Sequence, residues 1–160
     1  MLTSLINISD SLVIVLEKIG TSTYTQQLSI LENQTIGMQV RHIIEHWQIL
    51  INNYDNGQIN YTNRKRDKII EQDKNIAIDL LLTLQQQSDK KDIPLLIAAI
   101  DETTYFTSSF ERELDAVTEH IIHHAAIIKM AIISIDNTFT FPNGFGYAPS
   151  TISYQQQCVQ

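Results

Sequence analysis

The chain has 160 residues, of which 43% are hydrophobic, and a formal net charge of −7. That length supports one hydrophobic core, so a single domain over 1–160 is expected. The acidic balance argues against nucleic acid as a partner, because phosphate binding needs clustered Lys and Arg.

The one basic cluster, Arg64-Lys65-Arg66, is followed at once by Asp67 and reads as a solvated charged turn. The only cysteine, Cys158, lies two residues from the end. It cannot form an internal disulfide, and it fits a reducing, cytoplasmic setting. The first residues lack the basic region of a signal peptide. No unbroken apolar run approaches the ~18 residues of a membrane span, so no membrane partner is expected.

The first helix is expected over 4–19, from the apolar spacing of Leu5, Ile8, Leu12, Val15, Leu16 and Ile19. Gly20 reads as its stop, because glycine tolerates the left-handed position after a helix. Residues 21–31, rich in Ser, Thr and Gln, read as a connection with at most a short helical turn.

A second helix is expected over 35–54. Arg41, Glu45, Gln48 and Asn52 fall in one narrow polar sector at ~100° per residue, so most of its surface is buried. Asp55-Asn56-Gly57 ends it with turn chemistry. Residues 58–67 read as a loop, and 68–87 as a third helix with Ile69, Ile70, Leu81 and Leu84 among its buried positions. The stretch 93–101 is short, β-branched and bounded by turn residues, and it reads as a strand or an extended crossover with 105–107 pairing back on it. The last long helix starts at Ser108 or Ser109 and runs to about Ser134. Its apolar stripe is Leu114, Val117, Ile121, Ala125, Ile128 and Ile132. The Gly/Pro-rich, aromatic segment 141–151 reads as a loop packed on the helices. Four amphipathic helices predict an all-α fold, a four-helix bundle with a short extended segment before the last long helix.

All five histidines lie in two windows of two of these helices: His42 and His46, then His120, His123 and His124. Histidine is the commonest protein metal ligand, and residues four apart share one helix face. Two helices that each offer such a pair toward a common core can assemble a metal site. Three protein ligands with an open position is the layout of a catalytic centre. The bland alternative is a set of buried histidines satisfied by hydrogen bonds. His46 lies nearer the centre of the apolar face than His42, so either can be the ligand from the first helix of the pair. His123 points away. Glu113 projects toward His120 and His124. It is a candidate ligand, a hydrogen-bond partner of a histidine, an acid/base, or a half-exposed carboxylate paired with Arg112. A di-iron carboxylate centre is disfavoured for lack of Glu-x-x-His pairs.

The strings Ile36-Gly37-Met38-Gln39-Val40-Arg41-His42-Ile43-Ile44-Glu45-His46 and Arg112-Glu113-Leu114-Asp115-Ala116-Val117-Thr118-Glu119-His120-Ile121-Ile122-His123-His124 resemble the DinB-like superfamily of metal-binding helical bundles. Phe145-Gly146-Tyr147-Ala148-Pro149-Ser150-Thr151 resembles the ending of one branch of it. The resemblance implies a DinB-like domain over the chain and a three-histidine site of His42, His120 and His124, with His46 an addition to the pattern. It also implies a divalent ion (Zn, Ni, Fe or Mn) and a small-molecule substrate. The activity implied is a transferase that uses a low-molecular-weight thiol, or a metal-dependent hydrolase, in a chain that could form a homodimer. The competing expectation is a non-catalytic helical protein that binds metal or acts as a stress-response interaction module.

Overall fold

The structure, a computed structural model, describes residues 2–157. Helix α1 spans Leu2–Lys18 and buries Leu5, Leu12, Val15 and Leu16 completely along one face. Gly20 does not stop it in a left-handed conformation. It has φ −73° and ψ 156° and is the N-cap of a short helix α2, Thr21–Thr25.

Helix α3 spans Ile36–Asn52, with the Thr35 side chain accepting the Met38 N–H at its start. Ile36, Val40, Ile43, Ile44, Trp47 and Leu50 on it are fully buried. The Trp47 indole N–H donates to Ser88 Oγ at 2.9 Å, so this large polar-tipped ring in the core keeps a partner.

The helix expected over 68–87 is two helices, α4 (Lys68–Gln72) and α5 (Lys74–Gln87). Asp73 breaks the run with extended backbone, and its carboxylate accepts the Asn75 N–H. A carboxylate that competes for backbone N–H groups favours a cap over a helix interior. Asp67 caps α4 in the same way, accepting from the Ile69 N–H.

Strands β1 (Gln58–Ile59), β2 (Pro94–Ala98) and β3 (Tyr105–Ser109) form a sheet in that order. β1 runs parallel to β2, pairing Gln58 with Leu96, and β2 runs antiparallel to β3, pairing Pro94 with Ser109 and Ala98 with Tyr105. Helix α6 (Phe110–Ile135) follows β3 directly, capped by Ser109, and α7 (Pro149–Gln157) follows the aromatic segment.

The expectation of an all-α four-helix bundle of DinB-like type is therefore corrected. Among the described residues, seven α-helices join a mixed three-stranded sheet, an arrangement of the α/β kind. The extended stretch before α6 and its return strand do form, but they recruit β1 from the stretch read as a loop. β1 has only two residues, too few for any periodicity to show. The sheet also fixes two parts of the site. β1 leads into the segment 60–67, and β3 ends where α6 begins.

By length and composition α6 is apolar enough to cross a membrane, a property that a search for unbroken apolar runs passes over. In this fold Leu114, Val117, Ile121, Ala125, Ile128 and Ile132 on it are buried in the core. Phe145, in the aromatic segment after α6, is also buried.

Gly37 lets α3 lie against α4. A Cβ there would overlap the Glu71 carbonyl oxygen and approach the Tyr24 ring to 2.8 Å. Tyr24 in turn donates to the Ile70 carbonyl at 2.7 Å. Alanine has the better helix propensity by ~1 kcal/mol, but overlap with backbone outweighs it. Gly37→Ala is expected to lower stability by roughly 1–2 kcal/mol, read as the urea midpoint. An unchanged or raised midpoint would show that α3 and α4 are not packed this closely.

Candidate metal centre

Helix α3 carries His42 and His46, and α6 carries His120 and His124, each pair one turn apart on a common face. Where the helices pack, His42, His120 and His124 come together, each offering one nitrogen within 4.8 Å of the others. Their ring centres are 4.5 to 4.8 Å apart. His124 is 8% exposed and the other two are half-buried.

His46 is near but not in this cluster. Its ring lies flat between Tyr61, at 4.1 Å and 3°, and His120, at 4.2 Å and 21°. His123 is exposed, and its ring meets only the edge of His124 among these histidines.

Glu113 is buried, but it bonds no histidine. Its carboxylate accepts from the Tyr61 hydroxyl at 2.9 Å and the Ser108 hydroxyl at 2.6 Å. It reaches the site only through Tyr61, which stacks on His46, which stacks on His120. Cys158 lies outside the described residues.

Three residues that sequence reasoning missed complete the surroundings. Gln39, one turn before His42, accepts from the His124 Nδ1–H at 2.8 Å. Its position on the His42 face was the available signal. Tyr61 and Arg64 come from the segment 60–67, which is tied to α3 by a 2.7 Å hydrogen bond from the Asp67 N–H to Glu45 Oε1. Arg64 is half-buried and its guanidinium donates to His42 Nδ1, so the reading of this cluster as a solvated turn is corrected for Arg64, while Lys65 and Arg66 are exposed. No spacing rule links a loop residue to a helix that precedes it by twenty-odd positions.

The electrostatics follow from burial. Desolvation penalises a charged imidazole, and each ring penalises charge on its neighbours. His42 is lowered to about 4, by burial first and then by Arg64. His46 and His124 are each lowered to about 3, by burial first and then by His120. His120 is lowered to about 4, by burial and then by His123. Burial and then the Glu113 carboxylate push the Tyr61 phenol well above its usual range, so it stays a neutral donor.

All four rings are therefore neutral at pH 7 and each keeps one lone pair, the form that ligates metal. His120 Nε2 is buried with no hydrogen-bond partner among the described residues, and so is His46 Nδ1. Gln39 Oε1 accepts a hydrogen bond from the His124 Nδ1–H, which leaves its Nε2 lone pair free. An orphaned buried nitrogen beside an oriented one is a donor set that fits a divalent cation.

No family model matches the chain, and no solved structure matches it. It is 35% identical over 106 residues to FK506-binding protein 5 of Rhizopus delemar, a match that covers 60% of this chain. The chain spans only about a quarter, 27%, of that protein's length. The DinB-like resemblance is corrected by these comparisons and by the sheet, and the thiol-transferase and hydrolase activities drawn from it lose their support. The physical reason is that the quoted strings are histidines and aliphatic residues at helical spacing. Any pair of helices that buries imidazoles needs that pattern.

Four imidazoles lowered from 6.5 in the unfolded chain to about 3 or 4 make stability depend on pH. Between those values the unfolded chain binds more protons, so stability rises with pH. The contribution is full above about 6.5 and is lost as pH falls toward 3. Chelator-treated protein is expected to show a Tm that drops between about pH 7 and pH 4, with a shallower drop in His46→Gln. Equal slopes in both proteins would mean that His46 is not held neutral.

Proposed function

We propose that the protein is a metal-dependent enzyme, in which His42, His120 and His124 hold one divalent ion and leave a coordination position for a small-molecule ligand. The observation that carries this reading is the buried, unpartnered Nε2 of His120 beside two further neutral imidazoles. A buried polar atom without a partner is rare, because leaving it unmade costs ~1–3 kcal/mol. A cation held by this nitrogen together with nitrogens of His42 and His124 removes that cost.

When bound, such an ion acts as a Lewis acid toward whatever occupies its remaining position. The chain's own residues do the positioning. Gln39 fixes the tautomer of His124. The stack of Tyr61, His46 and His120, anchored by Glu113, holds the plane of the His120 ring. Among first-row metals, three imidazoles suit zinc, nickel and iron.

The match to the Rhizopus protein supports a second reading, that this chain binds FK506 as that protein's name states. Calorimetric titration with FK506 separates the two readings, because the metal site needs no such ligand.

Untagged protein purified without a nickel column is expected to carry one divalent ion per chain by elemental analysis. His124→Ala and His42→Ala are expected to lose it, and His46→Ala to keep it. Gln39→Ala is expected to weaken binding by roughly 10–100-fold, the usual cost of removing a hydrogen bond behind a ligating histidine. Wild-type protein that takes up no zinc, nickel, iron or manganese would make the histidines structural.

A further inference from the structure

The metal reading meets an obstacle at His42. A neutral imidazole has a single lone pair. Here the pair on Nδ1 receives an N–H from the Arg64 guanidinium. Arginine has no acceptor, so the hydrogen of His42 must sit on Nε2, and that nitrogen has nothing to give a cation. Ligation through either nitrogen of His42 therefore requires Arg64 to leave.

Arg64 has somewhere to go. It lines a cavity of about 300 Å³ with Gln48, Asn52, Asn63, Lys65 and Glu45. The Glu45 carboxylate accepts the Asp67 N–H on one oxygen, while its other oxygen has no hydrogen-bond partner among the described residues and lies 3.9 Å from Arg41 Nε. Among the described residues no carboxylate ion-pairs with Arg64. The ion pairs here join Arg41 to Glu45 and Glu71, and Lys68 to Glu71. Burial and then the charges of Arg66 and Arg41 hold Arg64 below the usual guanidinium range, and Glu45 offsets this only in part. A half-buried guanidinium that ion-pairs with no carboxylate, in a cavity lined by Lys65 and amide groups as well as by Glu45, offers charged donors to an oxyanion.

We propose that Arg64 and the metal compete for His42, and that an oxyanion ligand in this cavity draws Arg64 away, so that metal and oxyanion bind cooperatively. The inference rests on the metal reading above and adds the ligand class and the control of the site. In the resting state the guanidinium covers the lone pair of the third ligand. With an oxyanion bound, the guanidinium turns to it and His42 is released to the cation. By linkage, the metal must then strengthen oxyanion binding by the same factor.

The test is a zinc titration against a chromophoric chelator, with wild-type protein, Arg64→Ala and Arg64→Gln. Each is run in sodium sulfate and in sodium chloride at matched ionic strength. In chloride, Arg64→Ala is expected to bind zinc about tenfold more tightly than wild type, from loss of a charge-assisted hydrogen bond that zinc must displace. Arg64→Gln, which keeps a neutral donor of shorter reach, is expected to fall between them and serves if the alanine variant does not fold. Sulfate is expected to tighten zinc binding by wild type severalfold and to leave Arg64→Ala unchanged.

Equal zinc affinities for all three proteins in chloride would overturn the competition while the metal site stands. A sulfate effect of the same size in wild type and Arg64→Ala would overturn the role given to the oxyanion. No zinc binding by any of the three would defeat the metal reading itself.

Discussion

Where α3 packs on α6, four imidazole rings are linked by five neighbouring pairs 4.2 to 6.5 Å apart, and none can take a proton without placing a charge in a desolvated cluster. Neutrality at this contact is the condition on which the rest of the site depends. Neutral rings can stack, so His46 lies flat on His120 and Tyr61 flat on His46. Each neutral ring also has one donor and one acceptor nitrogen, so its neighbours must match the tautomer. Gln39 presents an acceptor to His124 and Arg64 presents a donor to His42.

The small sheet matters because it holds the pieces that meet these rings. β1 is parallel to β2, and the chain leaves it at Ile59, fully buried, into the segment that carries Tyr61 and Arg64. β3 delivers Ser108 and Ser109 to the start of α6. The Ser109 hydroxyl accepts the Arg112 N–H, and the Ser108 hydroxyl donates to Glu113. Glu113 sits in the first turn of α6, where the helix dipole favours a carboxylate. It then holds Tyr61 in place, so sheet, helix start and aromatic stack are linked through one side chain.

The helices were legible in the sequence wherever a long apolar period was available. α1, α3 and α6 each fall within two residues of the expected ends, as Leu2–Lys18, Ile36–Asn52 and Phe110–Ile135. The histidine face was legible for the same reason, since residues four apart must share a side. What failed was local or long-range in character. Asp73 splits a helix by a side-chain preference that apolar periodicity does not register. β1 is defined by its pairing with Leu96 and Ile97, a tertiary fact absent from its own two residues. Arg64 looked solvated beside Lys65 and Arg66 because only one of the three turns inward. The family resemblance failed because helical spacing of histidines reports what a buried pair of helices requires, not descent.

The charge inventory around the cluster bears on what it can hold. The buried carboxylates on the two histidine-bearing helices are Glu45 and Glu113. Glu113 accepts from two hydroxyls, and Glu45 accepts a backbone N–H on one oxygen while the other has no hydrogen-bond partner among the described residues. Neither supplies negative charge to a histidine of the cluster by a direct bond. Three neutral imidazoles contribute none, and Arg64 adds one of the opposite sign. On the proposed metal reading, the three ligating nitrogens bring a divalent ion no negative charge, in a medium where charge is costly. An anionic ligand at the open position would supply some of it, which is why the proposed metal and oxyanion sites belong together.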